Sequence, residues 1–145
     1  MQAFNILKGI DKMNIHDIKT LIEQTYWAKD RPIEIIKKSM ENSICFGIFL
    51  NEDAKQVGFA RVITDYATTY YICDVIIDSE YRGNCLGKKL LESIVSDVEF
   101  CDLKGILATK DAHGLYAKFG FEKSGNTFMQ KSRKIWWEAI SNKIN

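Results

Sequence analysis

The sequence predicts a single mixed α/β domain on three observations: two amphipathic helical segments near the start, three β-type runs in close succession, and a strand–loop–helix unit rich in glycine and basic residues. A chain of 145 residues favours one core, and 46% hydrophobic with 12% aromatic residues is ample to fill it. Twenty Lys and Arg against nineteen Asp and Glu leave a formal charge of +1, too little for a global field that would draw nucleic acid or an anionic membrane. Cys45, Cys73, Cys85 and Cys101 are widely separated and only His16 and His113 accompany them, so no metal is expected. No apolar run nears the roughly 18–20 residues of a membrane span and the first residues lack a signal-peptide pattern, so a reducing, cytoplasmic location is expected.

Asn14 is placed to cap a helix reaching about Ala28, in which Ile15, Ile18, Leu21, Ile22 and Thr25 recur at helical spacing. Asp30-Arg31-Pro32 opens a second helix through about Asn42, with Ile33, Ile36 and Met40 as its buried stripe; a proline lacks only an N–H that has no partner in a first turn. Ile44 to Leu50 and Gln56 to Thr64 are β-type runs joined by the polar turn Asn51-Glu52-Asp53, a hairpin signature, and Thr69 to Ile77 is a third. After Arg82 to Gly87 the helical period returns in Leu86, Leu90, Leu91, Ile94, Val95 and Val98. Gly105 to Ala108 reads as a short buried strand, Asp111 to about Phe119 as a short helix, and Phe121 to about Lys131 as one or two closing strands. The domain thus spans residues 1–131, and residues 132–145, with Trp136 and Trp137, read as a basic amphipathic helix that packs on the domain or on a second copy, leaving a homodimer open.

The chemistry concentrates between Val75 and Lys89. A strand, a short loop and a helix N-terminus follow one another there, and the first N–H groups of a helix have no intrahelical partner and carry the positive end of its dipole. Gly83 and Gly87 allow close approach, Arg82 offers a planar fork for phosphate oxygens, and Lys88 and Lys89 add charge. A pyrophosphate-bearing ligand is expected. Neither G-x-G-x-x-G nor G-x-x-x-x-G-K-S/T can be laid on the loop, which disfavours a dehydrogenase or a kinase.

Arg82-Gly83-Asn84-Cys85-Leu86-Gly87 resembles the acyl-coenzyme A loop of the GNAT superfamily of N-acyltransferases, R/Q-x-x-G-x-G/A, with Cys85 standing at the middle glycine. If that position needs a positive φ, Cys85 costs about 1 kcal/mol or more. Ala112-His113-Gly114-Leu115-Tyr116-Ala117-Lys118-Phe119-Gly120-Phe121 is similar to a second block of the same superfamily, A-x-x-x-Y-x-x-x-G-F. The resemblance implies a mostly antiparallel mixed sheet flanked by helices and splayed between its fourth and fifth strands, acetyl-CoA as acyl donor, and an amine-bearing small molecule or peptide as acceptor. It further implies donor contacts from Val75, Ile76 and Ile77, from the loop residues Arg82, Gly83, Asn84, Cys85, Leu86, Gly87 and Lys88, and from Asp111, His113 and Tyr116. Tyr116 would protonate the departing thiolate.

Asp74 interrupts the apolar run Tyr70 to Ile77, where an unpaired charge is expensive. Two readings stand: a carboxylate that accepts the proton of the acceptor amine, with Asp65 in reserve, or a structural partner of Arg61, which falls opposite Ile72 if the two strands pair through residues 65–68. Asp111 suits a helix N-cap. Tyr26, Trp27, Arg31, Asp65, Tyr66 and Tyr71 lie where the superfamily binds its acceptor. A non-catalytic acyl-CoA-binding module is the alternative from another class; the near-zero charge argues against a tRNA acceptor.

Overall fold

The structure, a computed structural model, describes residues 2–132, so the expected helical tail falls outside the described residues apart from its first residue. The elements in chain order are β1 (Phe4–Lys8), α1 (Ile15–Glu23), α2 (Ile33–Glu41), β2 (Ile44–Leu50), β3 (Gln56–Thr64), β4 (Thr69–Ile77), α3 (Leu86–Val95), β5 (Lys104–Ile106) and α4 (His113–Ala117). The five strands form one sheet in the same order, antiparallel except for the parallel β4–β5 pair. On one face Ile18, Leu21, Ile22 and Ile36 of α1 and α2 pack with Cys45, Phe59 and Ile76. On the other, Leu86, Leu90, Leu91 and Ile94 of α3 pack with Phe46, Ile48, Val62, Tyr70 and Ile72, joined by Tyr116 of α4. Coverage of both faces explains why Ile44 to Leu50 is a continuous apolar run rather than an alternating one.

The expected helices and the three central strands form, with local departures. Asn14 caps α1 by accepting from the Asp17 N–H at 3.0 Å. The helix stops at Glu23 rather than Ala28, because the Thr25 hydroxyl donates to Ile22 O and accepts from Ala28 N, turning the chain. β1 was not expected: Phe4, Ile6 and Leu7 break strict alternation, and its pairing with β2 along Phe4↔Leu50 to Lys8↔Phe46 is what defines it. No strand follows Phe121 among the described residues. Ser124 and Thr127 close a turn there through their hydroxyls, at 2.9 Å, around Gly125 with φ 29.

The feature that shapes the site lies in β4. Thr64↔Tyr70 through Arg61↔Cys73 keep one register, whereas Phe59↔Ile76 and Gly58↔Ile77 keep another, one residue further on. Ala60 therefore faces both Asp74 and Val75, a β-bulge, and Arg61 stands opposite Cys73 rather than Ile72. Asp74 takes the left-handed conformation, φ 54, that bulges usually give to glycine. The extra residue reverses the facing of the strand: Tyr70 and Ile72 point into the α3 core, whereas Ile76 points into the α1–α2 core.

Candidate functional site

β5 pairs with β4 only along Thr69↔Lys104, Tyr70↔Gly105 and Tyr71↔Ile106, and no described residue continues the ladder toward Ile77. The second half of β4, beginning with the bulge, thus presents backbone that β5 does not use, as expected of a sheet splayed between its fourth and fifth strands.

The Val75 to Lys89 unit ends that edge. Asp78 accepts from Glu80 N at 3.0 Å and starts a 3-10 turn, and Arg82 Nε donates back to Ile77 O at 3.2 Å, so the loop is folded onto the strand end. Asn84 Nδ2 donates to Tyr81 O at 2.9 Å. Gly83 has φ 88, and Cys85, the residue before α3, has φ 58 and ψ 23. The left-handed position is therefore real, and a side chain there costs about 1 kcal/mol. No side chain caps α3, so its leading N–H groups are left for a ligand or solvent. A Cβ on Gly87 would lie 3.9 Å, an ordinary contact distance, from both Ile77 Cγ1 and Leu115 Cδ2, so the first turn of α3 sits between the end of β4 and α4. Together with exposed Arg82, Lys88 and Lys89, these features fit a pyrophosphate whose attached chain runs along β4.

Tyr116 stands on α4, one residue beyond Leu115. It is 9% exposed, its ring meets Phe121 edge-on at 6.1 Å, and Phe121 in turn closes over Gly105, where a Cβ would come within 2.9 Å of the Phe121 ring. Burial, then the charge of Asp111, pushes the phenol pKa above its ordinary value, so Tyr116 keeps its proton at neutral pH. Asp111 is not the N-cap: Ala112 holds that position, its N–H bonded to Thr109 Oγ1 at 3.0 Å, which leaves Asp111 exposed beside the exposed His113.

On the α1–α2 side the bulge is tied down by charge. Arg31 donates from Nη1 and Nη2 to the two Asp74 oxygens at 2.6 and 3.2 Å, and Arg61 Nε donates to Oδ2 at 2.8 Å. Arg61 also reaches Ser43 Oγ at 3.0 Å. Asp74 is 7% exposed and Arg31 4%. Burial alone would raise the Asp74 pKa; hydrogen bonds and charge from Arg31, then Arg61, outweigh it and hold the carboxyl below its usual value. This is the geometry of the structural-partner reading, with a second arginine that spacing did not reveal. It also commits the Arg31 guanidinium, expected at the acceptor, to the interior. Asp65 is likewise occupied: its carboxylate accepts from the N–H groups of Ala67, Thr68 and Thr69 and from the Thr68 hydroxyl, which together depress its pKa strongly and fix the β3–β4 turn.

The aromatic candidates divide. Tyr71 is half-buried between Ile63 and Ile106, and Tyr66 is exposed at the β3–β4 turn with φ 62. Tyr26 and Trp27, 62% and 44% exposed, stand at right angles with ring centres 5.1 Å apart. Their connection is pinned on both sides, at Gln24, whose Oε1 accepts from Ser79 N at 3.0 Å, and at Arg31, whose carbonyl accepts from Lys19 Nζ at 2.7 Å. Sequence reasoning missed Gln24, which carries no signal, and Lys110, whose Nζ lies 5.3 Å from the Tyr26 ring centre. A separate cleft of about 370 Å³, lined by Leu7, Met13 and Phe49 among others, opens beside β1 and shares no residue with this site.

The chain belongs to the GNAT acetyltransferase family, whose acetyltransferase (GNAT) domain model matches residues 17–135. It is 35% identical to a GNAT-family acetyltransferase of Xanthomonas campestris pv. campestris, with a TM-score of 0.85 covering 94% of this chain and 98% of that one. It is 29% identical over 114 residues to the N-acetyltransferase ycf52 of Gracilaria tenuistipitata var. liui; the match covers 75% of this chain but only 62% of that relative. An acetyltransferase of Clostridium acetobutylicum, solved with acetyl-CoA, shares the fold at a TM-score of 0.61 and 14% identity, over 89% of this chain and 96% of that one.

Proposed function

We propose that this protein is an acetyl-CoA-dependent N-acetyltransferase that transfers the acetyl group directly to a primary amine of a small molecule or peptide, in the cytoplasm. The observation that carries the reading is the succession of three features: the β4 edge unused by β5, the uncapped α3 N-terminus behind left-handed Cys85, and the first turn of α3, where Gly87 faces Ile77 of β4 and Leu115 of α4, the helix that carries Tyr116. Bound there, acetyl-CoA supplies a thioester acetyl group and a thiolate leaving group. The loop from Arg82 to Lys88 holds the pyrophosphate, Val75 offers its backbone N–H to the carbonyl oxygen as it gains charge, that of Ile76 being turned toward Phe59 of β3, and Tyr116 holds the proton the sulfur needs.

The acceptor ammonium loses a proton to water; its neutral nitrogen bonds to the acetyl carbon, the nitrogen, now cationic, gives a second proton to water, the carbon–sulfur bond breaks, and the sulfur takes the Tyr116 proton, which solvent replaces. Asp74 we assign to holding the bulge, since its oxygens already carry guanidinium hydrogen bonds and its lowered pKa makes it a weak base at neutral pH. Cys45 and Cys73, pushed up to about 11 by burial, stay as thiols and make poor nucleophiles, which disfavours an acyl-enzyme on either of them.

Thermal unfolding with and without acetyl-CoA tests the donor, with desacetyl and dephospho analogues as controls. A saturable rise, followed by thiol release in an amine screen, supports the reading; no rise at millimolar acetyl-CoA overturns it. A rise without thiol release from any amine returns the non-catalytic acyl-CoA-binding alternative.

A further inference from the structure

Alternation along β3 and β4 sends each side chain to one face of the sheet or the other. Val62, Tyr70 and Ile72 face the α3 core, so Ile63 and Tyr71, paired across the two strands, face the α1–α2 side. Ile106 of β5, paired with Tyr71, joins them in a row that crosses three strands. Among the described residues this row belongs to neither hydrophobic core, because α1 and α2 pack further along the same face, over Cys45, Phe59 and Ile76. Ile63 is 45% exposed, Ile106 is half-buried, and Tyr66, 56% exposed, stands at the turn that joins β3 to β4. Contiguous exposed apolar side chains mark a surface that another segment or molecule covers.

The chain itself supplies a cover. Phe121 lies against Gly105 on the α3 face of β5, since a Cβ there would meet the rings of Phe121 and Tyr70 at 2.9 and 2.8 Å. Among the described residues β5 pairs only with β4, so the chain beyond Phe121 can pass around its open edge to Ile106. From Phe121 to Ser132 an extended chain reaches roughly 36 Å, and the row is about 10 Å wide, two strand spacings. In residues 133–145, which follow, Trp136, Trp137, Ile140 and Ile144 have the spacing of one helix face, with Glu138, Ser141 and Asn142 opposite. A helix is about 10 Å across, the width of the row. The match to the family's domain ends at residue 135, so these apolar residues are no part of it.

We infer that residues 133–145 dock in cis, as a helix, across Ile63, Tyr71 and Ile106, with Trp136 and Trp137 against the row. Tyr66 and Tyr71, expected at the acceptor, then serve this contact instead. Nothing here depends on the acetyltransferase reading, because only the closing of the sheet's α1–α2 side is at issue.

The test uses the full chain carrying Trp27→Phe, which leaves Trp136 and Trp137 as its only tryptophans. Their emission is expected at shorter wavelength than in the urea-unfolded chain, and shielded from iodide. Ile63→Asp sets a charge into the row, so the emission shifts to the unfolded position and the shielding is lost; Val98→Asp, at a 90% exposed site after α3, changes neither. Ile63→Ser makes the same comparison more mildly where the aspartate prevents folding. Ile63→Asp and the double replacement Trp136→Ser, Trp137→Ser each lower the unfolding midpoint, and combined they lower it by less than the sum, as partners in one contact do. Emission at the unfolded position before any change to the row, shielding that survives Ile63→Asp, additive losses of midpoint, or shielding lost on dilution, which assigns the segment to a second copy, each overturns the inference.

Discussion

On the β4–α3 side of the opening the groups offered to a ligand are backbone N–H groups, positioned by a bulge, a left-handed residue and a helix start. On the α1–α2 side they are the side chains of Tyr26 and Trp27, standing in solvent on a pinned connection. Backbone recognition suits a ligand part that never varies, whereas exposed rings change by single substitutions without disturbing the fold. The contrast fits a loop, Arg82 to Gly87, that matches a superfamily motif and a connection, at Tyr26 and Trp27, that carries none. The ion pairs Arg31–Asp74–Arg61 are where the two sides meet, and substitutions there affect both.

The largest effect is expected at that junction. Asp74→Ala leaves the buried Arg31 and the half-buried Arg61 guanidinium groups without their carboxylate and lowers unfolding free energy by about 3–5 kcal/mol in urea titration. Because the folded pKa of Asp74 is lowered, its contribution is fully present above the unfolded value near ~4 and is lost as pH falls through the folded value. The unfolding midpoint of the native protein should therefore drop through that acid window, and Asp74→Asn should flatten the drop. An unchanged acid limb would mean that the junction carries no charge-dependent stability.

Next is the donor side alone. Replacing Arg82 and Lys88 together by alanine removes the two charges proposed to meet phosphate, raising KM for acetyl-CoA by about tenfold or more, while the ligand-free unfolding midpoint falls only by what the exposed Arg82–Ile77 hydrogen bond contributes, about 1 kcal/mol or less. Tyr116→Phe keeps the ring against Phe121 and removes only the proton; kcat falls by roughly tenfold to a hundredfold with KM little changed, the thiolate being a good leaving group that water can also protonate. The smallest effect falls on the loop strain. Cys85→Gly relieves the left-handed conformation and stabilises the fold by about 1 kcal/mol, read as a higher unfolding midpoint, with tighter acetyl-CoA binding.

What was legible in the sequence follows the same division. The helices, the hairpin and the strand–loop–helix unit were readable because periodicity and turn chemistry are local, and Cys85 stood out because its neighbours match a glycine-based pattern. Asp74 announced itself as a charge in an apolar strand, but its second partner, Arg31, lies 43 residues away and no spacing rule connects them. The bulge was hidden too: Tyr70 to Ile77 reads as one run, and only the partner strand shows that β4 holds a residue too many. β1 is recognisable chiefly through its pairing with β2, and the expected closing strand fails at Ser124 to Thr127, where local turn bonds form instead.

The bulge has a consequence for how this chain tolerates change in length. Tyr70 and Ile72 before Asp74, and Val75 and Ile77 after it, all serve the α3 core, whereas Ile76 serves the other. Because residue 74 is the extra one, deleting it leaves a regular ladder, with Ala60 against Val75 and Phe59 still against Ile76, and every following side chain keeps its present face. Point substitution and deletion at this position are thus different experiments: Asp74→Ala keeps the bulge and removes its anchor, whereas deletion removes the bulge itself and straightens the edge beside the opening.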